Sequence, residues 1–296
     1  MRTFKTEPST IVFNLIGYVL LTLLALFCIT PFWLMVSGSF SDEMDIVSRG
    51  FQIIPDNFSW EAYKSVFQTP EQIYRAYGVT VGLTVVGSLL GLFLTSMAGF
   101  VLSRQEFKYR NSFSFFIYFT TLFSGGLIPW YILMVNQLHL KDSYLALLLP
   151  PLLSAWNIIL MKNFMKSIPD SIVESAKIDG AGEFYIYWKL ILPLSTPGLA
   201  TIGLFLALSY WNDWFLANIF ITSPEKYPLQ FLLYKILASA AVLQTNAANY
   251  VSANVTPPTE TLKMAVAVVA TGPIVLLYPF VQRYFVKGLT IGAVKG

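Results

Sequence analysis

The sequence predicts an all-α, polytopic membrane protein with six transmembrane helices and a helical loop on the cytoplasmic side. Three observations predict it. Only 12% of the 296 residues are charged and 55% are hydrophobic. A soluble domain carries about 25% charged residues, so part of this surface must face lipid. Six apolar runs approach the ~20 residues that a helix needs to cross a bilayer. Lys and Arg are also divided unevenly among the connecting loops.

The first span, residues 11–37, follows Arg2 and Lys5. Its apolar core is too long for a signal peptide and no small-x-small cleavage site follows, so a retained helix is expected. Cys28 follows bulky Phe27, which argues against a lipid-modified cysteine. The 38–76 segment holds Asp42, Glu43 and Asp45, a solvated loop start, and then a short amphipathic helix over 55–67 with Trp60, Tyr63 and Phe67 after Ser59. The second span is 77–103 and the third 113–135. Gly125, Gly126 and Pro129 should break the third locally, or serve close helix packing. His139 reads as a loop residue. The fourth span, 144–161, has the least certain ends because of Pro150 and Pro151. The fifth is 197–220 and the sixth 264–282.

Positive charge marks the cytoplasmic side. An even number of spans puts both termini on one side, together with the 104–112 and 162–196 loops. That side holds twelve of the nineteen Lys and Arg, although the opposite side has more loop residues. Both termini are therefore expected in the cytoplasm, with 38–76 and 221–263 facing outward.

The 162–196 loop is unusually polar for this chain. Ser171 and Glu174 form an S-x-x-E capping box that predicts a helix start just after Pro169. Ile172, Val173 and Ala176 give this helix an apolar side, and Gly180 is placed to end it. A second helix is predicted over 183–192, with Phe184, Tyr187, Leu190 and Ile191 at helical spacing and Pro193 as its stop. Thr196 and Pro197 match the N-cap and first turn of the fifth span. Such a helix–turn–helix can dock into another protein or rest on lipid headgroups.

Glu174-Ser175-Ala176, then Gly180, then Leu190-x-Leu192-Pro193, resembles the E-A-A-x3-G-x9-I-x-L-P loop of bacterial binding-protein-dependent ABC importer permeases. Asp179-Gly180-Ala181 and Leu192-Pro193-Leu194-Ser195 look like the carbohydrate-uptake branch. The tail Gly288–Gly296 is similar to the maltose-type G subunit. The stretches Pro258–Met264 and Phe123–Pro129 look like oligosaccharide permeases of Gram-positive bacteria. Two departures are conservative in size: Ser175 stands for the first alanine of the pair and Leu190 for the isoleucine.

The resemblance implies one permease domain over 1–296 in the bacterial cytoplasmic membrane, with a coupling helix seated on a cytoplasmic ATPase. Glu174, Ser175, Ala176, Asp179, Gly180 and Pro193 would form that coupling element, with Glu174 as its charged contact. The tail would reach into the ATPase interface. Implied partners are a second permease subunit, usually a different chain, two copies of the ABC ATPase, an external sugar-binding protein and membrane lipid. Mg-ATP would bind the ATPase; no cofactor is expected in this chain.

The residues agree with a non-enzymatic subunit. No G-x-x-x-x-G-K-[ST] run occurs. Gly180-Ala181-Gly182 has Tyr185 where a third glycine would stand, and it follows no strand. The single Cys28 and single His139 exclude thiolate clusters and His pairs. No basic cluster suggests nucleic acid. A secondary transporter would be expected to carry charges inside several spans, and a membrane-embedded enzyme would need an acid/base pair or a metal cluster.

Asp213 is the only acidic residue inside the six spans, about 24 Å along the fifth helix from Pro197. An intramembrane charge is a default functional candidate. Tyr210, Trp211, Asn212, Asp213 and Trp214 therefore form a candidate sugar path, since rings and amides suit hydroxyls and C–H faces. An interfacial aromatic belt is the alternative. A lone carboxylate favours a neutral sugar unless the partner subunit adds positive charge.

Overall fold

The computed structural model describes residues 8–68, 70–247 and 260–275. Among these no strand forms, and a single isolated bridge joins Ser41 to Phe58. The chain divides into two compact units, residues 1–69 with 235–272, and residues 70–234 with 273–296.

The first unit contains α1 (Pro8–Ser39), α2 (Glu43–Arg49) and α3 (Glu61–Val66). It also contains α14 (Leu229–Ala247) from Lys235 onward and, up to Gly272, α15, residues 260–275. Apolar side chains stay exposed along α1, from Phe13 to Phe27 and Trp33. A helix apolar on all sides is at home only in lipid or in a large core. The 55–67 segment forms a shorter helix than expected. Its aromatic residues instead stack into a cluster in which the Phe40 ring lies 4.9–5.2 Å from those of Phe58, Trp60 and Tyr63.

The acidic start of this loop is structural rather than freely solvated. Asp42 caps α2 by accepting from the Met44 amide at 2.9 Å. Asp45 accepts from Asn57. Glu43 receives the Glu260 and Thr261 amides, both at 2.9 Å, and the Thr261 hydroxyl at 2.7 Å. A carboxylate at that helix start satisfies its free N–H groups and meets the positive end of its dipole.

The second unit is built around α4 (Pro70–Ser103). Gly87, Gly91, Thr95 and Gly99 recur at four-residue spacing on its buried face. They let α4 approach α8 (Ala155–Lys166) and α12 (Thr196–Trp211) closely. A Cβ at Gly99 would stand 2.6 Å from Met161 Cγ, and one at Gly91 2.9 Å from the Leu152 carbonyl.

Three expected spans are interrupted. The third consists of α5 (Arg110–Phe119) and α6 (Leu127–Ile132), the latter running into a π-turn at Leu133–Gln137. The break falls at the glycine pair, where Gly126 has φ +87°. The fourth consists of α7 (Tyr144–Leu152) and α8, bent by 43° after Pro150 and Pro151. The fifth divides into α12 and α13 (Phe215–Phe220). Among the described residues, Val12–Ser39 and Pro70–Ser103 are the unbroken helices long and apolar enough to cross a membrane; counting each bent pair as one span raises the number to four. The sixth expected span is helical through residue 275, and its remainder lies outside the described residues, as does the Gly288–Gly296 tail.

Candidate functional site

The polar loop folds into α9 (Asp170–Ile178), a tight turn, then α10 (Glu183–Tyr185), a π-turn over Ile186–Ile191 and α11 (Leu192–Leu194). The expected capping box is absent. Asp170 already lies in the first turn, Pro169 takes the N-cap position without a side-chain bond, and Ser171 is inside the helix. Proline's fixed φ suits a helix start, and Asp170 meets the dipole there.

Gly180 ends α9 as expected. It has φ +83°. The Gly180 amide donates to the Lys177 carbonyl at 3.0 Å, and the Ala181 amide donates to the Ala176 carbonyl at 2.9 Å. These two bonds make a Schellman turn, whose left-handed residue is normally glycine. Pro193 does not stop the second helix where expected. The chain remains helical to Leu194, then turns by 81° into α12. Proline lacks an N–H and crowds the carbonyl four residues back. The preceding turn is widened instead, with the Leu192 amide donating to the Tyr187 carbonyl.

One face of this loop is anchored. Val173, Ala176, Ile186, Tyr187 and Ile191 are buried with Phe100, Met161 and Met165. The Tyr187 hydroxyl bonds Ser96 Oγ at 2.7 Å. The other face is open. Glu174, Ser175, Asp179, Gly180 and Pro193 are exposed, and Ile178 is 86% exposed and Phe184 68%. Of the expected coupling residues, Ala176 is therefore a buried anchor, and the other five lie at the surface.

Sequence reasoning missed the clamp on this loop. Lys177 forms ion pairs with Glu106 and, at 2.7 Å, with Glu183. Gln105 donates to Asp170 at 2.7 Å. The Glu106 hydrogen bond, then that to Glu183, hold the Lys177 ammonium above its usual range, and the same bond holds Glu106 below the usual carboxylate range. The 104–109 connection is thus fastened to α9 and to the start of α10. Lys177→Ala should leave the buried face intact and loosen the 104–109 connection from α9, speeding backbone hydrogen exchange there about two- to fivefold, the scale of exposed ion pairs. Hydrogen exchange over residues 104–109 and 170–183 checks this, and charge-swapped Lys177→Glu/Glu106→Lys/Glu183→Lys should recover part of the protection.

The 210–214 segment divides as well. Tyr210 and Trp211 are buried. The Tyr210 hydroxyl donates to the Leu148 carbonyl at 2.7 Å, and its ring covers Gly87. Asn212 and Trp214 are exposed. Trp214 stacks on Tyr234 with ring centres 4.9 Å apart. Asp213 Oδ1 accepts from the Leu216 amide at 3.1 Å and so caps α13. A cleft of about 590 Å³ lies beside this break, lined by Gly125, Gly126, Pro129, Trp130, Leu133 and Phe215. It joins the interruption of the third span to that of the fifth.

A second unforeseen group is Asp142, at φ +55°. Its carboxylate accepts from the Thr222 and Ser223 amides, the Ser223 hydroxyl and Lys226, all within 3.0 Å. The Lys226 bond, followed by those from Ser223 and Thr222, holds this acid far below the usual carboxylate range. The pair ties the 139–143 loop to 221–227. His139 lies in that loop, exposed. Among the described residues no group of three metal-ligating side chains occurs.

The family described as "Binding-protein-dependent transport system inner membrane component" matches residues 87–291. The chain is 43% identical to the polygalacturonan/rhamnogalacturonan transport system permease protein YtcP of Bacillus subtilis (strain 168), over 96% of this chain and 98% of the relative. It is 41% identical to Protein LplC of the same organism, over 100% and 99%. A chain in the crystal structure of a bacterial ABC transporter that imports the acidic polysaccharide alginate superposes with a TM-score of 0.78 at 33% identity, covering 96% of this chain and all of that one.

Proposed function

This chain belongs to the inner membrane components of binding-protein-dependent transport systems, and from that premise we propose that it is one permease subunit of an ATP-driven importer for sugar oligomers. Residues 1–296 form one permease domain, half of a translocation pathway that a second permease subunit completes. Six membrane crossings put both termini in the cytoplasm. Two copies of an ABC ATPase bind and hydrolyse Mg-ATP below, and an external binding protein delivers the sugar above.

The observation that carries the coupling role is the two-faced loop at 168–196. Its buried face is fixed to the membrane helices through Val173, Ala176, Ile186 and Tyr187. Its exposed face offers Glu174, Asp179 and the apolar side chains of Ile178 and Phe184. An exposed apolar patch rimmed by charge is the usual composition of a docking surface. A push on that face reaches α8 and α12 through packed side chains, and the Schellman turn at Gly180 fixes the angle between its two halves.

The sugar class rests on the named substrates of the relatives, which include the acidic polysaccharide alginate. Asp213 gives one carboxylate oxygen to the α13 cap, so its charge is weak ground for a neutral substrate. Asn212, Asp213 and Trp214 line the path beside the glycine break in this reading; Tyr210 and Trp211 hold the wall behind it.

Affinity purification of the chain in mild detergent tests the proposal. A cytoplasmic ATPase and a second permease should co-purify. Uptake of labelled oligogalacturonide or alginate oligomer into proteoliposomes should require ATP and the binding protein. Uptake driven by an ion gradient without ATP would overturn it.

A further inference from the structure

The first residue of α5 and the last turns of α8 bring three cations together. Arg110 and Ser114 lie four residues apart on α5, and Lys162 and Lys166 four apart on α8, so each pair shares one helix face. The two faces meet: Lys162 Nζ donates to Ser114 Oγ at 2.8 Å, and Ser114 Oγ donates to the Arg110 carbonyl at 2.6 Å. Beyond its partial burial, Lys162 feels the like charges of Lys166 and Arg110. Among the described residues none of the three cations forms an ion pair. The 104–109 loop just before them contains Glu106, which is taken by Lys177.

Three like charges held together without a counter-ion repel one another, and an anion between them removes that cost. The surroundings suit an amphiphile. Tyr109, Phe113 and Phe116 are more than half exposed beside the cluster, and rings of this kind settle at the headgroup level. The start of α5 has no side-chain cap; its Arg110 amide donates to the Phe107 carbonyl, and the amides that follow in the first turn add donors for a negatively charged group.

We propose that Arg110, Lys162 and Lys166 form a binding site for the phosphate of an anionic phospholipid headgroup, at the junction of α5 and α8. The lipid neutralises the cluster, and its chains lie along the exposed aromatic rings. The site needs only that the chain sits in a bilayer, which its family supplies, and it is independent of the coupling role.

Lipid titration of the purified transporter complex in neutral detergent, followed by native mass spectrometry, tests this. Phosphatidylglycerol should be retained in preference to phosphatidylcholine. Each neutral substitution, Arg110→Gln, Lys162→Gln or Lys166→Gln, should weaken retention about fivefold, and the triple variant about 100-fold, at the ~1 kcal/mol that a basic residue contributes near anionic lipid. Lys141→Gln, elsewhere on the surface, should change nothing. Lys166→Gln alters an exposed side chain at a helix end, so it remains informative if the triple variant fails to fold. Equal retention of the two lipids, or wild-type retention by the single variants, would overturn the proposal. Displacement of phosphatidylglycerol by inorganic phosphate at equal concentration would reassign the site to a free anion. Loss of lipid whenever the ATPase is bound would reassign it to a protein contact.

Discussion

Glu174→Lys is expected to leave the chain inserted and folded while abolishing ATP-dependent uptake. Residues 174, 175 and 178 lie on the exposed side of α9, opposite buried Val173 and Ala176. Among the described residues Glu174 forms no ion pair. A change at such a position costs the fold within about 0.5 kcal/mol. At a docked interface the outcome differs, because a reversed charge that loses its partner and is buried costs about 2–5 kcal/mol. That is roughly a 30- to 4,000-fold loss of affinity at 1.4 kcal/mol per tenfold. The measurement is uptake and ATPase co-purification at matched amounts of permease. Wild-type uptake would remove Glu174 from the coupling surface.

The second large effect is on the fold. Gly87→Val should cut the amount of folded protein about tenfold. A Cβ at Gly87 would stand 2.3 Å from Tyr210 Cζ and 2.4 Å from Cε2. The ring cannot simply turn aside, since its hydroxyl is bonded to the Leu148 carbonyl at 2.7 Å and the residue is buried. Either α12 moves away from α4 or that bond is lost. Overpacking costs about 1–3 kcal/mol, and the lost hydrogen bond about 1 kcal/mol more, against a total stability on the order of 5–15 kcal/mol. Gly82→Val on the same helix is the control, because nothing lies within 4 Å of its Cβ position. Thermal unfolding in detergent should show a lower midpoint for Gly87→Val and little change for Gly82→Val. Equal midpoints would show that α4 and α12 tolerate separation.

The sequence alone determined the helical membrane class, the first two apolar helices and the turn at Gly180; at Gly125-Gly126 it left a break and close helix packing both open. Each is a local property. Apolar continuity sets the solvent of a helix, and glycine's freedom at positive φ marks where a helix ends. The signature around Glu174 also identified the family before any contact was known.

Only the tertiary structure decided which partner each polar group meets. Lys177 reaches Glu106 across 71 positions, Asp142 meets Ser223 across 81, and Glu43 caps a helix that begins 217 residues later. No periodicity encodes such distances. Asp42, Glu43 and Asp45 therefore read as a solvated loop, although all three are engaged. The same reason explains Asp213. Its charge was legible as costly inside a span, but the interruption that makes it a cap depends on how α12 and α13 pack. Pro193 reads as the stop of the second helix, yet the chain stays helical to Leu194, where Ile186, Tyr187 and Ile191 pack against α4 and α8 and the turn over Ile186–Ile191 is widened. A single residue can state a preference, but the burial around it decides whether that preference prevails.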